Sequence, residues 1–276
     1  MKKLDAFSMD IFEGGQMPEL PEFTGESRMD MLDYMVLVTA RCMSCSVAFK
    51  GGYMLNKLLG NASRLTSDID FSIAQQGDYA SVKEWLGKIA DEFAKVGLIS
   101  SYKIKEDIQE RQSGGIDMYD ELGQKVLGVD VGLHNIGYGI RHYDLGFVDV
   151  DGFSTERMLA DKLIAITTRK RFRRTKDLYD VYAITNFFDV DYKVLSDFIE
   201  RRGGAEWGNI PFNDDVIAQY LHAWQKLDLM TSISQEVLEK PEFVEALNRF
   251  YALALPLKDG DTNYRWEHEH GRRIHL

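Results

Sequence analysis

The residues with the clearest chemical use are three aspartates and a pair of glycines. Asp68 and Asp70 lie in Asp68-Ile69-Asp70-Phe71-Ser72-Ile73. Their side chains alternate with apolar ones, as in a strand with one polar and one apolar face. Upstream, Lys50-Gly51-Gly52 is a glycine turn ahead of a short apolar-rich helix from Tyr53 to Leu59, with Gly60 as its C-terminal cap. Glycines let backbone N–H groups approach phosphate oxygens, and a helix N-terminus favours an anion. Carboxylates offer Mg²⁺ hard oxygen ligands, and that ion binds through one or two of them plus substrate phosphates. Together these features suggest a magnesium–triphosphate site. Each half alone is common, and the bland reading is a turn, a helix and an edge strand with solvated aspartates.

A third carboxylate comes from residues 125–133, KVLGVDVGL. Val129, Val131 and Leu133 point one way; Gly128, Asp130 and Gly132 point the other. Asp130 between two glycines leaves room for an ion or substrate. Asp149-x-Asp151 is a second paired-aspartate motif, but Asp151-Gly152 reads as a turn and Ser154 as a helix N-cap, so it is set aside as a decoy. Asp149 would be the next candidate if Asp130 lay on the wrong face.

These residues need elements to hold them. The pattern predicts a helix over 27–47, with Met31, Tyr34, Met35, Val38 and Cys42 at helical spacing. An amphipathic helix follows over 79–96, with Val82, Trp85, Leu86, Ile89 and Phe93 on one face, ended by Gly97. A strand is expected over 98–104, a loop or strand extension over 106–115, and one or two short strands within 138–150. Helices are then expected over 154–169, from an N-cap at Thr175 to Phe187, over 191–201, 213–227 and 241–254. Residues 1–27 read as an arm with apolar anchors, broken by Gly14-Gly15 and Pro18 to Pro21. The expected division is an arm (1–27), a catalytic domain (28–152) and a helical domain (153–276).

The chain has 276 residues, 45% hydrophobic and 28% charged, which suits a globular protein. No apolar run of about 18 residues marks a membrane span. The N-terminus lacks the apolar core of a signal peptide, so a cytoplasmic protein is expected. Cys42 and Cys45 are the only cysteines and read as small core residues on one helix. His268 and His270 read as surface residues. A net charge of −11 argues against general nucleic-acid binding. One local basic run stands out against it: Arg169-Lys170-Arg171-Phe172-Arg173-Arg174-Thr175-Lys176.

Two stretches together resemble a family. Lys50-Gly51-Gly52 through Arg64-x-Thr66-x-Asp68-x-Asp70 is one; Asp161-Lys162 through Arg169, then Lys176-Asp177-Leu178-Tyr179-Asp180, is the other. This combination resembles the AbiEii/AbiGii-type nucleotidyltransferase toxins of type IV toxin–antitoxin and phage-abortive systems, over roughly residues 28–190. The resemblance implies an α+β fold. A polymerase-β-like nucleotidyltransferase domain, a mixed sheet flanked by helices, would be followed by a helical C-terminal domain, with the active site between them. It also implies Mg²⁺-dependent transfer of a nucleotide from an NTP to an acceptor, in some members the tRNA 3′ end, and a cognate antitoxin. Asp68, Asp70 and Asp130 would be metal ligands, with Asp130 as ligand or general base. Gly51 and Gly52 would bind phosphate oxygens, and Lys50, Arg64 and Thr66 would contact phosphate or ribose. Lys162, Arg169 and Lys176 resemble the family's basic positions facing the triphosphate; Asp180 would orient one of them or contact the nucleotide. For Asp177 and Asp180 the alternative is plain helix-surface charge. Two other functions remain open: nucleotidyl transfer to a small molecule such as an antibiotic, or a non-catalytic binding protein of the same fold.

Overall fold

A computed structural model of the chain describes residues 22–25, 27–42, 47–60, 63–64, 66–73, 79–105, 113–133, 138–168, 174–210, 212–227 and 241–276. Most of the expected arm, Cys45 and residues 169–173, Arg169 among them, lie outside the described residues. Two compact units divide the chain: Met1–Met54 with Thr66–Phe153, and Leu55–Leu65 with Ser154–Leu276.

The first unit is built on a seven-stranded mixed sheet. In chain order its strands are β1 (Val47–Lys50), β2 (Asp68–Ile73), β3 (Ser101–Ile104), β4 (Ser113–Tyr119), β5 (Lys125–Gly132), β6 (Ile140–Asp144) and β7 (Asp149–Phe153). Across the sheet they run β3-β4-β5-β2-β1-β7-β6. β2 and β5 pair in parallel, as do β1 and β7; the other neighbours are antiparallel. Helices α1 (Arg28–Cys42) and α3 (Tyr79–Lys95) supply the apolar cover. Phe71 is fully buried, with ring centroids 5.7 Å from Phe49 and 5.4 Å from Trp85 of α3. Tyr34 of α1 meets Phe93 of α3 edge-on. The helix expected over 27–47 stops at Cys42, and Val47 opens β1. Val47, Ala48 and Phe49 pair with Ile73, Ser72 and Phe71, and that non-local pairing overrides the helical spacing.

Of the loop or strand extension expected over 106–115, the described end is strand: Ser113-Gly114-Gly115 belongs to β4, with Gly114 and Gly115 buried and paired with Val131 and Asp130. One further local expectation is corrected: Asp151-Gly152 is no turn. Gly152 lies within β7, level with Phe49 of β1, where a side chain would strike Met54 and Tyr143.

Helix α2 (Gly51–Leu59) carries the chain from the first unit into the second. The second unit then contains α4 (Thr155–Thr167), α5 (Thr175–Phe187), α6 (Tyr192–Arg201), α7 (Asp214–Gln225) and α8 (Phe243–Lys258). A small sheet of β8 (Val190–Asp191), β9 (Tyr264–Glu267) and β10 (Arg272–His275) completes it. Ser154 caps α4 as expected, its hydroxyl accepting from the Arg157 N–H. Thr175 does not cap α5. It is the first helical residue, and Arg174 holds the cap position with no side-chain bond to the helix. The tail from 264 is ordered as a hairpin, with Trp266 donating to the Thr185 carbonyl and His268 bound to Asp189.

A buried ionic cluster ties the 55–65 segment to α4 and α5. Arg64 grips Asp180 with two donors, at 3.0 and 3.2 Å. Lys162 reaches Asp177 at 2.7 Å and Asp180 at 2.8 Å. Asp180 is only 3% exposed. Burial would raise its carboxyl, but Arg64 and Lys162 hold it below the ordinary carboxylate range. Burial would likewise lower the Lys162 ammonium, but Asp177 and Asp180 hold it above ordinary lysine.

Two stability predictions follow from these cores. Phe71→Ala leaves a cavity between Phe49 and Trp85 and costs about 3–5 kcal/mol in urea unfolding followed by circular dichroism; a loss below about 1 kcal/mol contradicts the packing. Asp180→Asn removes the carboxylate that Arg64 and Lys162 share, leaving Lys162 only Asp177 of its two carboxylates, and costs about 3–5 kcal/mol near pH 7. The Asp180 carboxyl is depressed, so its contribution is present above the ordinary carboxylate pKa of about 3.9 and is lost as pH falls through the folded value. The gap between wild type and variant therefore closes in acid. A gap that stays constant from pH 7 to pH 3 would place the effect in packing rather than charge.

Candidate active site

The site in the first unit is set by strand register. β2 and β5 run in parallel with Asp70 level with Asp130 and Asp68 level with Gly128. Residues level on paired strands project to one face, so all three carboxylates share a face opposite Ile69, Phe71, Val129 and Val131. On the far side of β2, Lys50 of β1 is level with Asp70. The chemical face and the core face are the two sides of one sheet.

Each carboxylate lies against a glycine. A Cβ at Gly128 would sit 2.2 Å from the Asp68 Oδ1, one at Gly51 would sit 2.1 Å from the Asp70 Oδ2, and one at Gly115 would sit 2.8 Å from the Asp130 Oδ1. Gly51 carries a second constraint. It is the first residue of α2 with φ of 71°, a left-handed value that side chains disfavour. The strand β1 thereby turns directly into α2, whose first two residues are Gly51 and Gly52. Lys50 donates to the Ser72 hydroxyl at 3.0 Å and lies 5.4 Å from the centre of the Phe153 ring. Thr66 donates to the Asp68 carbonyl at 3.2 Å and so braces the entry to β2.

Three residues unnoticed in the sequence complete this face. Lys105, just after β3, meets Asp130 at 2.7 Å and Asp117 at 3.3 Å. Lys125, the first residue of β5, meets Asp68 and Asp117 at 2.8 Å each. The ions form a chain: Asp130, Lys105, Asp117, Lys125, Asp68. Partial burial pulls both ammonium groups down, but their carboxylates prevail and hold both above ordinary lysine. Burial pushes Asp117 up, but Lys125 and Lys105 hold it below the ordinary carboxylate range. The available signal was the alternation of Gly115, Asp117 and Tyr119 against Ile116 and Met118, masked by the glycine pair.

The donor set suits Mg²⁺. It offers hard oxygens on one face, with glycine rather than bulky side chains between them, beside a helix N-terminus. Among the described residues, no three His, Cys, Asp or Glu side chains gather closely enough to form a metal cage by themselves. A magnesium site does not need one, because phosphates and waters fill the remaining positions. The decoy pair stands apart from this set: Asp151 is exposed on β7 and pairs with His142 at 3.1 Å, with β1 between β7 and β2.

The remaining predicted residues belong to the second unit. Arg64, Lys162, Asp177 and Asp180 form its buried cluster, which is no helix-surface charge. Arg174 approaches Asp177 at 3.6 Å, and Lys176 is exposed. The raised Lys162 ammonium stays protonated at neutral pH, so it acts as a cation and not as a base.

Comparison with known proteins agrees with this geometry. The family model described as "Nucleotidyl transferase AbiEii toxin, Type IV TA system" matches residues 43–257. Among solved structures, a protein of H. pylori assigned as a nucleotidyltransferase is similar with TM-score 0.50 and 13% identity, covering 85% of this chain and 94% of that one. JHP933 from Helicobacter pylori is similar with TM-score 0.46 and 13% identity, covering 79% of this chain and 86% of that one. A comparison with curated proteins finds no match. The chain belongs to the AbiEii nucleotidyltransferase toxin family of type IV toxin–antitoxin systems, and its chemistry is nucleotidyl transfer.

Proposed function

We propose that this toxin is a Mg²⁺-dependent enzyme that transfers a nucleotide from an NTP to RNA, with the tRNA 3′ end as acceptor, in the cytoplasm and under the control of a cognate antitoxin. The observation that carries the reading is the in-register pair Asp70 and Asp130, with Asp68 on the same face and glycines beneath all three. In the reaction the acceptor hydroxyl attacks the α-phosphorus, a new P–O bond forms, the bond to the bridging oxygen breaks, and pyrophosphate leaves. Mg²⁺, when bound, supplies charge neutralisation at the triphosphate. Asp68 and Asp70 are the residues assigned to hold it. Asp130, 49% exposed at its side chain, is assigned to the acceptor hydroxyl, as ligand of its metal or as its base. The backbone N–H groups of Gly51 and Gly52, with Lys50 beside them, are assigned to phosphate oxygens.

An RNA acceptor is favoured by the basic run 169–176, the local exception in a chain of net charge −11. Within it, Arg169 and Lys176 are assigned to triphosphate and Arg171, Arg173 and Arg174 to RNA phosphates. In the second unit, Asp180 orients Arg64 and Lys162 rather than meeting the nucleotide itself. No helix among the described residues is long and apolar enough to cross a membrane.

The test is incubation with each α-labelled NTP and total RNA, with and without Mg²⁺. Label is expected in RNA, dependent on the cation. Asp70→Asn is expected to lower transfer by about 100-fold or more, since the metal contributes several kcal/mol of charge stabilisation. Near-wild-type labelling by the variant contradicts the metal assignment, and label in a small acceptor alone contradicts the RNA assignment. Gly128→Ala is a milder probe. The atoms nearest its Cβ are the side-chain ends of Asp68 and Lys125, so the protein should fold while Asp68 is displaced. Transfer is expected to fall about 100-fold with the melting temperature kept near wild type. Unchanged transfer would remove Asp68 from the site.

A further inference from the structure

The ions on the carboxylate face have a consequence for the order of binding. One oxygen of Asp68 and one of Asp130 already have a cationic partner: Lys125 and Lys105 meet them at 2.8 and 2.7 Å. The lysines are anchored from behind by Asp117, which touches both. They are nevertheless mobile groups. Their side chains are 34% and 36% exposed, and the carboxylates they cover are 49% and 32% exposed. Ion pairs of that exposure are worth little in water, so a cation can displace them, at a modest cost in its own affinity. A divalent ion arriving alone leaves two ammonium groups beside itself with Asp117 as the carboxylate they share. A divalent ion arriving with a triphosphate brings negative oxygens that the displaced ammonium groups then meet.

We propose that Lys105 and Lys125, linked through Asp117, are an internal counter-ion pair that occupies Asp130 and Asp68 and makes cation binding dependent on the nucleotide. The lysines then become positioning residues for the triphosphate. This rests on the reading of Asp68, Asp70 and Asp130 as the metal-holding carboxylates. It adds a role for three residues outside that set. The device also explains why carboxylates on one sheet face do not gather into a metal cage: two of the three are held by lysines instead.

The experiment measures Mn²⁺ binding to the full chain by electron paramagnetic resonance, with and without the α,β-methylene analogues of the four NTPs. The variants are Lys105→Met, Lys125→Met and the double variant, with Lys→Gln forms as a second set. Lys83→Met is the control: it removes the same charge from an exposed position of α3, the helix that covers the apolar side of the sheet. In wild type, Mn²⁺ alone is expected to bind weakly and the analogue to tighten it. Each Lys→Met change is expected to tighten Mn²⁺ alone by about two- to fivefold, the strength of one exposed ion pair. The same change should weaken binding of the Mn²⁺–analogue complex, while Lys83→Met moves neither by as much. Mn²⁺ affinity that is unchanged or lower in the Lys105 and Lys125 variants overturns the proposal and leaves the metal-site reading intact. A wild-type protein that binds no Mn²⁺ with any analogue overturns that reading, and this inference with it.

Discussion

Parallel pairing of β2 with β5 sets Asp70 beside Asp130, and the chemical face of the first unit depends on that register. Side chains on a strand alternate with period two, so a slip by one residue would send Asp130 into the core and Val129 to the active face. The apolar face resists such a slip: Ile69, Phe71, Val129 and Val131 are all buried. Packing against α1 and α3 therefore holds the geometry of the carboxylate face from the other side of the sheet. Glycine makes room at three positions, because a carboxylate oxygen occupies the volume its Cβ would fill. Core packing fixes direction, and absent side chains make room.

Charge is handled in two ways in the two units. Around Asp180 the ions are buried, bidentate and matched, and breaking one partner leaves uncompensated charge in a dry interior. That cluster clasps Arg64, remote in sequence, onto α4 and α5. Around Asp68 and Asp130 the ions are about one-third to one-half exposed, so water screens them and exchange is easy. Both units use lysine against aspartate. Only the exposed arrangement can release its carboxylates to another cation at low cost.

The features that depend on neighbours in sequence were readable from it. The alternation of Asp68-Ile69-Asp70-Phe71 gave a strand with the observed bounds, and Gly51 ahead of an apolar helix gave the turn into α2. The fold class follows from those signals plus the helical second half. Features that depend on pairing partners were not readable. Val47 to Lys50 continues a helical pattern and becomes a strand only because β2 and β7 flank it. Gly114-Gly115 reads as a loop or a strand extension, and only pairing with β5 decides for the strand. Lys105 and Lys125 carry no local mark at all, since their function comes from carboxylates on other strands. Asp177 and Asp180 looked equally like surface charge until α4 brought Lys162 against them.

The central claim is that the face of β2 and β5 holds the metal and its nucleotide. Its most direct test is a crystal grown with Mn²⁺ and an α,β-methylene NTP, read by anomalous scattering at the manganese edge. The account predicts an anomalous peak over the sheet, coordinated by carboxylate oxygens of Asp70 with Asp68 or Asp130, and phosphate density at the N-terminus of α2. A peak at Asp149 and Asp151 on β7, with nothing over β2 and β5, would contradict it.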